Sequence, residues 1–163
     1  MTDRVDLNTV VRKATGLAAN LIRKSTRRFS TEIAAHMPLF DGNTQRLEQV
    51  VINLVVNACQ ALPDRERAIC ITTFATAEHA GITVADEGEG IPAGLATRIT
   101  DPFFTTKRES GGTGLGLAIT SRIVRDHGGT ITFDSTPGQG TTVRVTLPLE
   151  AETDSPQEAA TTP

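Results

Sequence analysis

"GGTGLGLAI", Gly111 to Ile119, places four glycines within six positions and runs at once into an apolar stretch of helical pattern. Glycines let a backbone come close to a ligand, and the first turn of the helix that follows offers free amides and a positive dipole end to an anion. Two phosphate-binding folds open in this way. A Walker loop needs Lys and then Ser or Thr after its last glycine, whereas Gly116 is followed by Leu117 and Ala118, so that fold is excluded. A dinucleotide fingerprint needs glycines at 112, 114 and 117 directly after a strand. Leu117 holds the third place and the preceding segment is polar, which counts against that fold even though Asp134 lies near the spacing of a ribose-binding acid. Taken alone, a glycine-rich turn into a helix is more often structural than functional.

Outward from this turn, the helix runs from Gly114 to about Asp126 and stops at His127, Gly128 and Gly129. The strands "TITFDS" and "TTVRVTLPL" follow, joined by "TPGQG". Upstream, "IPAGLATRITDPFFTTKRESGG" is a long irregular connection, of a length that in a compact domain is usually functional. Before it come two β-rich runs, "AICITTFAT" and "AGITVADEG", with a polar tip between them as in antiparallel neighbours. The clearest periodicity belongs to a helix that begins near Thr44 after the turn signal "DGN". Leu47, Val50, Val51, Leu54, Val55, Ala58, Ala61 and Leu62 form one buried stripe, and Pro63 ends it. "STEIAAH" reads as a short strand. Leu7 to about Lys24 reads as a first amphipathic helix with Val10, Val11, Ala14, Leu17, Ala18 and Leu21 on its apolar side. This order of helices and strands predicts an α/β sandwich in which one face of a mixed, mostly antiparallel sheet is covered by helices.

The 163 residues suit a single domain, assigned to 1–149, with the acidic, proline-containing segment 150–163 expected to be a disordered tail or linker. A net charge of −3 and a pI near 5.6 give no electrostatic reason to expect nucleic acid or an anionic membrane surface as partner. The basic cluster "RKSTRR", Arg23 to Arg28, reads as a solvated helix end. Cys59 and Cys70 lack metal-ligand spacing and lie in apolar runs, as buried reduced thiols do. The start "MTDRVDLNTV" lacks the pattern of a signal peptide, and no stretch has the length of a membrane span. The expected location is cytoplasmic, including the soluble part of a membrane-bound protein.

Three further clusters carry chemistry. Asn53 and Asn57 lie four apart on one face of the second helix, in line with Gln49 and Gln60. Asparagine is a poor helix former, so the pair marks either a solvated face or neutral oxygen ligands for a hard cation such as Mg²⁺ that also meets phosphates. "ADEGEGIP" ends an apolar strand on Asp86 and follows it with Gly88 and Gly90. That acid is either a strand-end turn residue or an acceptor for an exocyclic amine such as that of adenine. "DPFFTTK", Asp101 to Lys107, sets two phenylalanines in a loop before two threonines and a cation.

The order and spacing of the four clusters resemble the ATP-binding domain of sensor histidine kinases, within the superfamily shared with DNA gyrase and heat-shock chaperones. The resemblance covers roughly Leu7 to Pro148. "NLVVN" with "NACQA" is similar to the N box, "DEGEG" to the first glycine box, "DPFFTTK" to the F box, "GTGLGL" to the second glycine box and "GQGTTV" to the last glycine motif. The wording looks closest to nitrogen-regulation-type kinases.

The resemblance implies the Bergerat two-layer α/β sandwich and ATP with Mg²⁺ as cofactors. Asp86 would accept from the adenine amine, Gly88, Gly90 and Ile91 would shape the base pocket, and Thr141 would support it. Asn57 would hold Mg²⁺ with Asn53 beside it. Gly112, Thr113, Gly114, Leu115, Gly116 and Leu117 would line the phosphates. Phe104, Thr105, Thr106 and Lys107 would lie in a lid, with Phe104 as lid packing and Lys107 facing phosphate.

In hydrolytic relatives the place of Asn53 is taken by a glutamate that activates water. An asparagine cannot act as a general base at neutral pH, so transfer to an external nucleophile is favoured over hydrolysis. Glu48 is offset from the Asn stripe and is discounted as a substitute. Many members of the family carry a lysine and an aromatic where this chain has Gln60 and Ala61, so less cationic help with phosphate is expected. The phosphoacceptor histidine of the family sits in an upstream helical dimerisation domain, and His36, His79 and His127 fall at a strand or turn, a hairpin tip and a helix end. The implied partners are that helical domain and, indirectly, a response regulator, and the isolated chain is expected to be a monomer. Alternatives are a free-standing serine kinase of a partner protein and a non-catalytic nucleotide-sensing module.

Overall fold

The structure, a computed structural model, describes residues 3–88, 114–136 and 138–149. Its first strand, β1 (Asp3–Val5), leads into α1 (Leu7–Leu17), where the Asp6 side chain accepts from Asn8 N at 2.9 Å as N-cap. The single helix expected from Leu7 to Lys24 is instead broken at Ala18, and α2 (Ala19–Ser25) continues on a shifted phase. Val10, Val11, Ala14 and Ala18 are buried as the periodicity predicts, but Leu17 and Leu21 are 67% and 37% exposed and Ile22 takes the buried place. Ala18 leaves helical geometry at ψ 9, two residues after Gly16, whose backbone freedom weakens the helix there. Arg23 and Lys24 fall in the last turn of α2, where cations complement the dipole.

The strand expected at "STEIAAH" lies earlier, as β2 (Arg28–Glu32). Tertiary hydrogen bonds set its start: buried Thr26 donates through Oγ1 to Arg67 O at 2.6 Å and accepts from Arg28 N at 2.8 Å. β3 (Phe40–Gly42), which the sequence pattern does not announce, pairs antiparallel with β1. Next, α3 (Thr44–Ala61) starts on Asn43, whose side chain accepts from Arg46 N at 2.9 Å. It ends with Leu62 extended before Pro63, as the residue preceding a proline must be. Leu47, Val50, Val51, Leu54, Val55 and Ala58 are buried along it, as predicted, whereas Ala61 and Leu62, expected on the same stripe, are only half-buried at its C-terminal end.

Five strands form the main sheet in the order β2-β4-β5-β7-β6, with β4 (Ala68–Ala75), β5 (His79–Asp86), β6 (Thr130–Thr136) and β7 (Gly140–Pro148). Among the described residues, β2–β4 is the one parallel pair. Alternation assigns the two faces. Rows such as Ile71, Val84, Val143 and Thr73, Ile82, Val145 point toward the helices, and rows such as Thr72, Thr83, Arg144, Thr132 point away. On the outer face the Arg144 guanidinium lies 4.8 Å from the centroid of the Phe74 ring. Cys59 is buried on α3, whereas Cys70 lies half-buried on the outer side of the sheet, and among the described residues neither forms a disulfide. The expected two-layer α/β sandwich is present, with α1 and α3 packed on β5 and α4 (Gly114–Asp126) packed on α3 and β6.

The far ends of α3 and α4 are clasped together. His127, just past α4, donates through Nδ1 to Ile123 O at 2.8 Å, and its Nε2 accepts from Asn43 N at 3.0 Å. Arg46 and Asp126 pair beside it at 3.0 Å. Both ring nitrogens are thus engaged, one with the last turn of α4 and one with the N-cap of α3. His127→Ala leaves the Asn43 amide without its acceptor and is expected to lower stability by about 1–3 kcal/mol, read from urea midpoints at constant slope.

Candidate functional site

One face of α3 organises the site. Asn53, Asn57 and Ala61 follow at intervals of four, so they line up along the helix over about 12 Å. At one end Asn53 Nδ2 donates to Thr120 Oγ1 on α4 at 3.2 Å. At the other end, Ala61 packs against Gly88: a Cβ at 88 would stand 2.7 Å from Ala61 O and 2.8 Å from Ala61 Cβ. Asn57 sits between them, half-buried, with its Nδ2 shut off from solvent. The helix that carries the paired asparagines is therefore touched by the glycine-box helix on one flank and by the "DEG" turn on the other.

Asp86 ends β5 on the helix-covered face, in the alternation Ile82, Val84, Asp86. An acid at a core-facing position calls for a partner or a ligand. Its Oδ1 accepts from Gly88 N at 2.8 Å, which fixes the turn and orients the carboxylate. Neighbouring Glu87 is committed elsewhere, since its Oε1 accepts from Ala68 N at 2.9 Å and stands 3.8 Å from Arg28 Nη1. Of the two adjacent acids, Asp86 is the one on the site side of the sheet.

Strand register brings Thr141 directly opposite Asp86 on β7, and Ser135 opposite Thr141 on β6. The two hydroxyls lie 3.0 Å apart, and Ser135 Oγ also donates to Gly140 O at 3.2 Å. Gly140 has φ +125, and a Cβ there would stand 2.0 Å from Asp86 O. Backbone without a side chain is what lets β7 run this close to the end of β5. Gly140 falls in the "GQGTTV" motif of the sequence, whereas Ser135 and Thr120 depend on register and helix packing that the chain's local pattern does not contain.

Gly114, Leu115 and Gly116 form the first turn of α4, and Leu117 is half-buried one step further. That turn carries the amides that no intrahelical carbonyl can reach. Gly90, Ile91, Phe104, Thr105, Thr106, Lys107, Gly112 and Thr113 lie outside the described residues. Glu48 is buried 180° or so around α3 from Asn57, with Oε2 3.7 Å from Lys13 Nζ on α1, so it does not face the site. A groove of about 660 Å³ lined by Arg12, Gly16, Ile22, Arg23, Arg27 and Arg65 lies on the α1–α2 flank and includes none of the site residues.

The donor set suits Mg²⁺: two amide side chains one helical turn apart supply neutral, hard oxygens, and such a cation commonly completes its shell with substrate phosphates and water. Among the described residues no group of three or more His, Cys, Asp or Glu could hold a metal, and no helix is long and apolar enough to cross a membrane.

Residues 42–151 match the family described as histidine kinase-, DNA gyrase B-, and HSP90-like ATPase. Among curated proteins, the chain is 39% identical over 145 residues to a putative sensor protein of Shewanella frigidimarina (strain NCIMB 400), covering 89% of this chain and 22% of that protein. It is 36% identical over 161 residues to the sensory histidine kinase/phosphatase NtrB of Azospirillum brasilense, covering 90% of this chain and 39% of that one. The chain thus spans well under half the length of these relatives. Among solved structures it is similar to the nucleotide-free catalytic domain of the histidine kinase ThkA, with a TM-score of 0.80, 32% identity and coverage of 91% and 98% of the two chains. ThkA in complex with the response regulator protein TrrA matches with a TM-score of 0.77 at 30% identity, over 94% of this chain and 43% of that one.

Proposed function

This chain belongs to the histidine kinase-, DNA gyrase B- and HSP90-like ATPase family and is a catalytic domain of the histidine-kinase type, and from that premise we propose that it binds Mg·ATP and transfers the γ-phosphoryl group to a histidine on a separate helical domain. The observation that carries this reading is the α3 face, where Asn53 and Asn57 stand between the glycine-box helix and the Asp86–Gly88 turn. In this reading the Asp86 carboxylate accepts from the exocyclic amine of adenine, with Gly88 leaving room for the flat ring and Thr141 beside it. Asn57 and Asn53 offer amide oxygens to the cation. The first-turn amides of α4, around Gly114 and Gly116, approach the phosphates, with Gly112 and Lys107 contributing from the connection before it.

Mg²⁺, when bound, neutralises phosphate charge and orients the γ-group for in-line transfer. The chain's own residues bind and align. An imidazole nitrogen of the acceptor attacks the γ-phosphorus, the bond to the bridging oxygen breaks, and ADP leaves. Since Asn53 is no base and Glu48 faces Lys13, water is activated poorly. The partners are an upstream helical dimerisation and phosphoacceptor domain and, through it, a response regulator, in the cytoplasm. That relatives are sensor kinases, and that ThkA has been solved with TrrA, supports this context.

The test is to add such a helical domain in trans with radiolabelled ATP. Acid-labile, base-stable label on that domain, with ATP hydrolysis at least about tenfold slower than transfer, is expected. Label on a serine, or rapid hydrolysis without transfer, would contradict the proposal.

A further inference from the structure

Thr120 lies on α4 with no exposed surface, next to the buried Ile123 and Val124. Valine would fill that space with the same shape, and a hydroxyl buried among aliphatic neighbours is unfavourable unless it is hydrogen-bonded. The adjacent buried hydroxyl of Ser121 has a partner on its own helix, accepting from Arg125 Nη1 at 3.2 Å. The Thr120 hydroxyl instead reaches across to α3, where Asn53 Nδ2 donates to it at 3.2 Å.

This contact matters because the two ends of an amide are chemically opposite. The oxygen can ligate a hard cation, whereas the NH₂ group carries two donor hydrogens and repels one. A hydroxyl can meet either end of an amide, and here it is the NH₂ end that it meets. We propose that Thr120 is a positioning residue for the metal side of the site: its hydroxyl pins the Asn53 NH₂ group against α4 and so limits the positions from which Oδ1 can meet the cation that accompanies the nucleotide. The inference rests on the reading of Asn53 as a metal-side ligand.

Thr120 touches neither nucleotide nor metal in this account, and its effect is confined to the metal-dependent part of binding. Adenine recognition at the Asp86 turn does not pass through it. The contact also ties the orientation of Asn53 to the same helix whose first turn carries the glycine box, so phosphate and cation sites share one rigid element.

The experiment titrates the chain calorimetrically with a non-hydrolysable ATP analogue, once with excess Mg²⁺ and once with EDTA, for wild type, Thr120→Val and Thr120→Ser. In parallel, the side-chain amide signals of Asn53 are followed by NMR without nucleotide. Thr120→Val is expected to lose about tenfold of the Mg²⁺-dependent gain in affinity, to keep its EDTA affinity, and to shift the Asn53 amide signals; Thr120→Ser keeps all three at wild-type values. A Val variant that retains the full Mg²⁺ gain, or that weakens both titrations by the same factor, overturns the proposal. A wild-type chain that binds the analogue equally with Mg²⁺ and EDTA overturns the metal-ligand reading itself, and this inference with it. Should the Val variant not fold, Thr120→Ala against Thr120→Ser gives the same comparison.

Discussion

Asp86→Asn is expected to weaken binding of an ATP analogue about a hundredfold, about 2.8 kcal/mol, with the melting temperature held within a few degrees of wild type. The size follows from the geometry of the turn. Asp86 Oδ1 accepts from Gly88 N at 2.8 Å, and in the proposed site the exocyclic amine of adenine would donate to the same carboxylate beside that bond. An asparagine keeps the turn only by placing its oxygen on Gly88 N, which sets the NH₂ group against the amine of the base, donor facing donor. Loss of a charge-assisted hydrogen bond and the creation of an unmatched donor act in the same direction. Stability changes little because the side chain is isosteric and the turn's hydrogen bond survives. Calorimetry with the variant reads the affinity and circular dichroism reads the fold. An affinity within threefold of wild type would show that Asp86 does not contact the base.

Gly140→Ala has the second large effect, this time on the fold and the site together. Gly138 and Gly140 belong to one hairpin turn and both have positive φ, +81 and +125. They differ in what surrounds them: nothing lies within 4 Å of a Cβ at 138, whereas at 140 it would stand 2.0 Å from Asp86 O. Gly138→Ala therefore carries only the left-handed backbone penalty, about 1–2 kcal/mol. Gly140→Ala adds a backbone clash that no rotamer relieves, and about 3–5 kcal/mol is expected. Relief by moving β7 away from β5 displaces Thr141 and the end of β5, so nucleotide affinity should fall in Gly140→Ala and stay at wild type in Gly138→Ala. Paired urea melts and titrations of the two variants check this. Equal stability losses would mean that the close approach at Gly140 is not needed.

What could be read beforehand divides by the range of the interactions involved. The α3 stripe was legible because burial, period and the proline stop are all local, and the asparagine pair stood out against it. The β5 alternation likewise placed Asp86 at a strand end. Both short strands were missed because β1 and β3 are too short to show a period and are stabilised by pairing across a long separation, Arg4 with Asp41 among them. The break at Ala18 was missed because the apolar pattern continues through it, and only the exposure of Leu17 and Leu21 reveals the change of phase. In the site, the row Asp86, Thr141, Ser135 depends on sheet register, and Thr120 meets Asn53 only once α4 has packed on α3. Local pattern singles out the candidate residues of the proposed site, and tertiary contacts supply those packed around them.

The account rests on an adenine-nucleotide site framed by Asp86 and the α3 asparagines, and the most direct test is a calorimetric titration of the wild-type chain with non-hydrolysable ATP and GTP analogues in the presence of Mg²⁺. One-to-one saturable binding of the ATP analogue, with the GTP analogue at least about tenfold weaker, is predicted, because the carboxylate of Asp86 suits the exocyclic amine of adenine and repels the carbonyl at the same place on guanine. No binding heat from a chain shown to be folded by circular dichroism, or equal affinity for the two analogues, would contradict it.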